Sequence, residues 1–516
     1  MHESCHQTKP DMLRDSSLPR RQFLNAGLAA GALFGSADLK WMLGLPEVSA
    51  AEAQKPVKPV LLQPDIEPLA RFLETTPRER LIEEMAEKIR GGVTYQQAFA
   101  ALLSAGVRNV QPRPEVGFKF HAVLVTHSTH LASLSAAAQE RWIPLLWAMD
   151  YFKRSQARDV AEGDWTMAEV DEAAVPDAPR AVEAFREAME TWDVEKTDVA
   201  VASLSRNVGA GRILDLFAHY ACRDYRSIGH KAIFASNGWR ALGVTGWRHR
   251  EPILRSLGYA LLAHEGGNPS QRDSDRDRPG RENLERVGRI RNDWMAGRTD
   301  NGATLSLLQT LRDANHATAC EAVVEALNSG VGPQSIWDAV YGFAGELLLR
   351  APGIVSLHAL TSSNALHYLY TQVGSDATRR RLLLQNVAFL TMFRQKQYST
   401  DAGAIENLEP TLDTNQAQSP FQTLGSDRAQ ACREALGWLS SSPESSTAFI
   451  QKARQLIFLK ARDSHDYKFS SAALEDCHHL SPEWKNRFLA ASLSHLKSET
   501  DDDNPVVERI KNALNT

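Results

Sequence analysis

The chain has 516 residues, of which 43% are hydrophobic and 23% charged, ordinary values for a globular protein. Its formal charge of −5 provides no basic field, which argues against a nucleic-acid binder or a polybasic membrane-surface protein and favours a small-molecule substrate or a protein partner. Five cysteines, Cys5, Cys222, Cys320, Cys432 and Cys477, show neither C-x-x-C nor C-x-x-C-H spacing, so no zinc knuckle or covalent haem attachment is encoded; on helices such residues are expected to be small buried hydrophobes.

Residues 17–24 read S-L-P-R-R-Q-F-L, with Arg20, Arg21, Phe23 and Leu24 in the places of a twin-arginine export signal. The mildly apolar run that follows is too short for a membrane anchor, which needs roughly 20 apolar residues. Small residues at Val48-Ser49-Ala50 and Ala51-Glu52-Ala53 offer cleavage sites. The expectation is a signal segment over 1–50, export of the folded protein to the periplasm or beyond by the machinery for folded cargo, and no membrane span afterwards.

Along the remaining chain helix signals dominate. Thr76-Pro77-Arg78-Glu79 predicts a helix capped by Thr76, and Thr94-Tyr95-Gln96-Gln97 predicts a capping box. Val182, Phe185, Met189 and Trp192 step by three and four residues along one face. Ser442-Pro443-Glu444 and Ser481-Pro482-Glu483 open two further helices. The nearest strand candidate is 123–126, although a buried helix fits that segment equally well. Two stretches read as irregular, the Arg/Asp-rich 266–291 and the polar 407–426. The resulting expectation is an all-α protein, a large multi-helix array around a central pocket, with a main helical domain over 51–406, a linker over 407–426 and a C-terminal helical region over 427–516.

Histidines interrupt the apolar segments. His121, His127 and His130 stand in F-H-A-V-L-V-T-H-S-T-H-L, where His127 and His130 share a helical face at i, i+3, a spacing that suits two metal ligands or a ligand and its proton relay. His219, Arg223 and His230 occupy a second group; on one unbroken helix the two histidines would stand about 16 Å apart and line one elongated pocket. His264 follows L-G-Y-A-L-L-A, and His358 and His367 lie nine residues apart, on opposite sides of a regular helix, so at most one of them serves a shared site. His316 and Cys320 are one turn apart, a weak metal spacing more often found in cores. The plainer alternative for each histidine is a buried ring bonded to a nearby carbonyl or carboxylate. Beyond the expected signal segment, whose residues 2–6 read H-E-S-C-H, neither H-E-x-x-H nor a pair of E-x-x-H repeats occurs, and G-x-S-x-G occurs nowhere, so the main chain lacks the common zincin, di-iron and α/β-hydrolase signatures.

F-K-F-H-A-V-L-V-T-H-S-T-H-L-A-S-L with W-A-M-D-Y-F, P-I-L-R-S-L-G-Y-A-L-L-A-H-E, and L-H-A-L-T-S-S-N-A-L-H-Y-L-Y together resemble the questin oxidase-like family, in scattered stretches between about residue 115 and residue 375. The resemblance implies an all-helical oxidase; the fungal enzyme that names the family opens an anthraquinone ring with dioxygen and NADPH. In that pattern a histidine stands near the position held here by Arg255 or Ser256. NADPH is not supplied outside the cytoplasm, so an exported member needs a bound metal ion or an electron-donating substrate instead. The function expected is therefore an exported oxidoreductase acting on a small aromatic or polyketide-like compound, with His127, His130, His219, His230, His264 and His358 as metal ligands or proton-transfer groups and Arg223 orienting an anionic or phenolic substrate. A non-catalytic helical binding or scaffold protein and a metal-dependent hydrolase are the alternatives.

Overall fold

The computed structural model describes residues 58–112, 120–394, 403–411 and 419–515. The expected signal segment and its cleavage sites lie outside them, as does the middle of the 407–426 stretch. Glu265–Gly267 apart, the described residues belong to one body.

The protein is all-α. Among the described residues there are 22 α-helices and no strand beyond two isolated bridges, and no helix is long and apolar enough to cross a membrane. Eight helices position the site: α1 (Tyr95–Asn109), α2 (His121–Leu134), α3 (Ala210–Ala221), α4 (His230–Thr245), α5 (Pro333–Arg350), α6 (Ile354–Gln372), α7 (Asp376–Phe393) and α8 (Ser464–Asp476).

Thr94 caps α1 with the predicted box, its hydroxyl accepting from Gln97 N while the Gln97 side chain accepts from Thr94 N. Ser481 precedes the helix Pro482–Ser492, and another starts at Ser445 after the Ser-Pro-Glu signal. Thr76 does not act as predicted: that helix begins at Arg78, with Pro77 in the capping position and no side-chain cap. The 266–291 stretch also departs from its expectation. It contains the helix Arg278–Val287, held by ion pairs of Arg278 with Asp275 and of Arg286 with Glu282 and Glu321; charged residues that read as loop chemistry staple a short helix to its neighbours.

Helices α2 and α6 are buried on almost every side. Nine consecutive residues of α2, from His121 through Thr129, are buried, as are twelve of α6, from Ser356 through His367. A helix walled in all round carries no polar stripe, which is why 123–126 resembled a strand as much as a helix. Such helices tolerate Thr and Ser because the hydroxyls bond backward along their own turns: Thr126 donates to Ala122 O and Thr361 to Leu357 O.

Four of these helices close a ring, α2 and α6 each packing on both α4 and α8. Contacts recur at matching depth: Asn237 of α4 donates to Leu124 O of α2, Ser471 of α8 donates to Ser128 O of α2, and Arg240 of α4 pairs with Glu475 of α8. Asn364 of α6 donates to Glu475 as well, below the His358–His230 contact on α6, so all four helices leave the end that carries His121, His230, His358 and His465 in the same sense. Helices α1, α3, α5 and α7 pack around them.

Helix α4 is not the continuation of α3 that an unbroken helix across His219 and His230 requires. Asp224 accepts from Arg226 N and from Lys231 Nζ, turning the chain, and Ser227 (φ 63°), Ile228 (φ 46°) and Gly229 (φ 80°) are all left-handed. Each non-glycine residue there costs about 1–2 kcal/mol, so the turn exists only because packing overrides it. A Cβ on Gly229 would lie 2.7 Å from Ser362 Cβ of α6. Gly229→Ala is therefore expected to destabilise the protein by about 1–3 kcal/mol, read as a lower urea midpoint at unchanged slope.

Candidate metal centre

The head of the four-helix ring is made of imidazoles. His121 and His230 are the first residues of α2 and α4, His465 the second of α8 and His358 the fifth of α6. His230 Nε2 lies 3.3 Å from His121 Nε2 and 3.1 Å from His358 Nε2, and one nitrogen from each of the three rings lies within 4.8 Å of the others. His465 completes the group, its ring 4.7 Å from His121 and 5.2 Å from His358 between centroids.

The backbone fixes which nitrogens face inward. His230 Nδ1 is 2.8 Å from Ser227 O, and His358 Nδ1 is 2.6 Å from Ile354 O. A carbonyl only accepts, so each Nδ1 carries the proton and each neutral ring turns a bare Nε2 lone pair toward the other. Two lone pairs at 3.1 Å repel unless a proton or a cation lies between them. Burial pushes the His121, His230 and His358 rings well below the ordinary imidazole range, assisted by the Lys468 ammonium and by the neighbouring His465 ring, so at neutral pH a proton does not solve the problem. Imidazole nitrogens bound at about 2.0–2.1 Å to a tetrahedral ion stand about 3.3 Å apart, close to the spacing found. The carbonyls behind the rings are the outer partners that metal-bound histidines require. His465 has a carboxylate instead, with Nδ1 3.5 Å from Asp463 Oδ1, while Asp463 caps α8 by accepting from His465 N and Asp466 N.

The other predicted residues are placed differently. His127 lines a narrow space enclosed by the same four helices, together with Asn237, Arg240, Thr361, Asn364 and Lys468. Its expected partner His130 turns away: the ring centroids are 6.1 Å apart, and His130 bonds Tyr95 Oη at 3.2 Å. His219 receives Arg381 Nη1 at 2.8 Å, and burial with this guanidinium pushes it down to about 3. His264 bonds Leu262 O at 2.9 Å and packs edge-on against Trp192. Arg223 stacks on the same indole at 3.8 Å and donates to Met189 O at 2.6 Å. His219, Arg223 and His264 thus have partners of their own away from the imidazole cluster, and the elongated pocket expected between His219 and His230 gives way to two separate helices. His367 packs on Trp337 and His479, so of the pair on α6 one ring, His358, joins the cluster. Cys320 donates to Leu384 O, and His316 lies 3.4 Å from Glu282. Cys222, Cys320, Cys432 and Cys477 are free thiols in the core.

Sequence reasoning passed over His121, His465 and Lys468 as site residues. His121 opens the apolar run that holds His127, and Lys468 interrupts Tyr467 and Phe469, so both carried the signal used for the others. His465 stands between Asp463 and Asp466 in a polar turn, where nothing distinguishes a ligand from a surface residue. Compared with known proteins, the chain matches no family model, no curated protein and no solved structure.

Rings held neutral by the fold make stability acid-sensitive. Each takes up a proton more readily in the unfolded chain, near pH 6.5, than in the native state, so its contribution is complete above that value and is lost as pH falls, at up to about 1.4 kcal/mol per pH unit and ring. Chelator-treated protein is expected to lose thermal stability steeply between pH 6.5 and 5, and His230→Gln to flatten that slope; equal slopes for both proteins would contradict the assignment.

Proposed function

We propose that the protein is a metal-dependent oxidoreductase, with one ion held by His121, His230 and His358 and with His465 available as a fourth donor. The observation that carries this is the convergence of Nε2 lone pairs whose opposite ring nitrogens are fixed by backbone carbonyls. Three helices supply an all-imidazole set with no carboxylate among the three, a donor type that suits iron, copper, nickel or zinc and not magnesium or calcium. Neutral donors in a buried site leave the ion's charge uncompensated, which favours the reduced state of a redox metal and raises its potential. The metal would supply the electron transfer. The chain's own residues hold it, exclude bulk water, and place neutral His127 on the wall of the adjoining space, where burial keeps it uncharged and able to exchange a hydrogen bond with a bound group.

The substrate class follows from the questin oxidase-like resemblance, a small aromatic or polyketide-like compound with dioxygen as electron acceptor. A metal site that needs no NADPH also agrees with the export signal expected over 1–50, since the twin-arginine route carries proteins already folded and loaded. A second reading, a zinc hydrolase, is favoured by the three-histidine set itself, which leaves a fourth position for water when His465 stays unligated.

Full-length protein from metal-supplemented cells is expected to hold about one equivalent of a transition metal and to consume oxygen with phenols or quinols. His230→Ala and His358→Ala should each weaken metal binding more than about 100-fold, whereas His219→Ala should leave metal content unchanged. Zinc alone, with ester or amide cleavage and no oxygen uptake, would transfer the assignment to the hydrolase; protein with neither metal nor turnover would remove both. Replacing Arg20 and Arg21 by lysine is expected to retain the protein in the cytoplasm, as measured by fractionation.

A further inference from the structure

Beneath the imidazoles the four helices line the space that His127 borders, and its polar groups are mostly engaged with one another. Arg240 pairs with Glu475 at 2.8 Å, Asn364 Nδ2 donates to Glu475 and to Asp476, and Asn237 donates to Leu124 O. Two donors are not engaged. Lys468, 3% exposed, has no hydrogen-bond partner for Nζ, and half-buried Arg240 has none for its buried Nε; both residues line the space. Among the lining residues Glu475 is the one carboxylate, and it is matched by Arg240, so the walls carry one unbalanced positive charge. The N-terminal ends of α2, α4 and α8 add to it at the head. A buried ammonium without a hydrogen-bonded partner is unfavourable by several kcal/mol in general; here the Asp463 carboxylate offsets the burial of Lys468 in part, without bonding to it. The space admits about a single water-sized group, too little for a ring and enough for one oxygen.

We propose that this space is an anion subsite in which Lys468, with Arg240 Nε beside it, holds one anionic oxygen of the substrate, a carboxylate or a phenolate, next to the imidazole cluster. The inference rests on the proposed function for what lies at the head of the subsite and extends it by naming the charge that a substrate must bring. Lys468 is then a positioning residue: it pairs with the acidic oxygen and leaves the remainder of the molecule outside the narrow space.

The test is calorimetric titration of full-length protein with formate and, separately, with 4-cyanophenolate, with metal content measured on the same samples. At least one probe should bind the wild type, and the stronger of the two tells carboxylate from phenolate. Lys468→Met should weaken that binding at least about tenfold, while metal content stays unchanged and the melting temperature stays equal or rises, because an unpaired charge has left the interior. Lys468→Arg should restore binding to within about threefold of the wild type. Lys468→Gln provides the same comparison if the methionine variant does not fold. Undiminished affinity in the methionine or glutamine variant, or no binding of either probe to the wild type, overturns the subsite. Absence of metal overturns the proposed function instead, and the loss of probe binding on removing the amine is read equally well in metal-free protein.

Discussion

Two nitrogen lone pairs held 3.1 Å apart in the buried interior are the constraint on which the rest of the site depends. Neither ring can relieve the contact by exchanging its proton, because the protonated nitrogen of each is already committed to a carbonyl of the main chain. The fold thus uses its backbone to decide a side-chain tautomer. The strained turn at Ser227, Ile228 and Gly229 provides one of those carbonyls, and Ser362 of α6, pressed against Gly229, keeps the turn in place. What looks like local irregularity between two helices sets the orientation of His230.

Opposing electrostatic effects meet at the same point. Burial first, and then the Lys468 ammonium, keeps the histidines unprotonated; that positive charge and the helix N-termini at the same time disfavour a bound cation. The inward lone pairs of His230 and His358, with the His121 ring beside them, act in the other direction, and coordination bonds outweigh dipole effects of about 0.3–1 kcal/mol each. The imbalance that remains is the reason an anion belongs beside the cluster. Burial pushes the Lys468 amine down to about 7, which is the measure of how poorly this interior suits an isolated positive charge.

The helical class and several helix starts were legible in the sequence because capping is local: Thr94 and Gln97 need only each other. The expected site was legible in part. His230 and His358 drew attention because imidazoles amid apolar residues need partners, and they do converge. His219 and His264 showed the same signal and found theirs in Arg381 and in Leu262 O. Sequence position records that a ring is buried; whether its partner is another ring or a nearby backbone atom is decided by how distant helices pack. His465 escaped notice for the converse reason, being brought to the cluster from a polar turn by the packing of α8 on α2 and α6. The helix at Arg278–Val287 was misread because its stabilisation comes from arginine–glutamate pairs and not from an apolar stripe.

The order of the ligating rings along the chain has a consequence for biogenesis. His121 and His230 are separated by 109 residues, and His230 and His358 by a further 128, with His465 later still. A ribosome must therefore deliver most of the polypeptide before three donors exist together, and the left-handed turn can settle only after α6 has arrived to press on it. Any ion must therefore enter a nearly finished product, after distant helices have docked, and cannot serve as the nucleus around which the chain first folds.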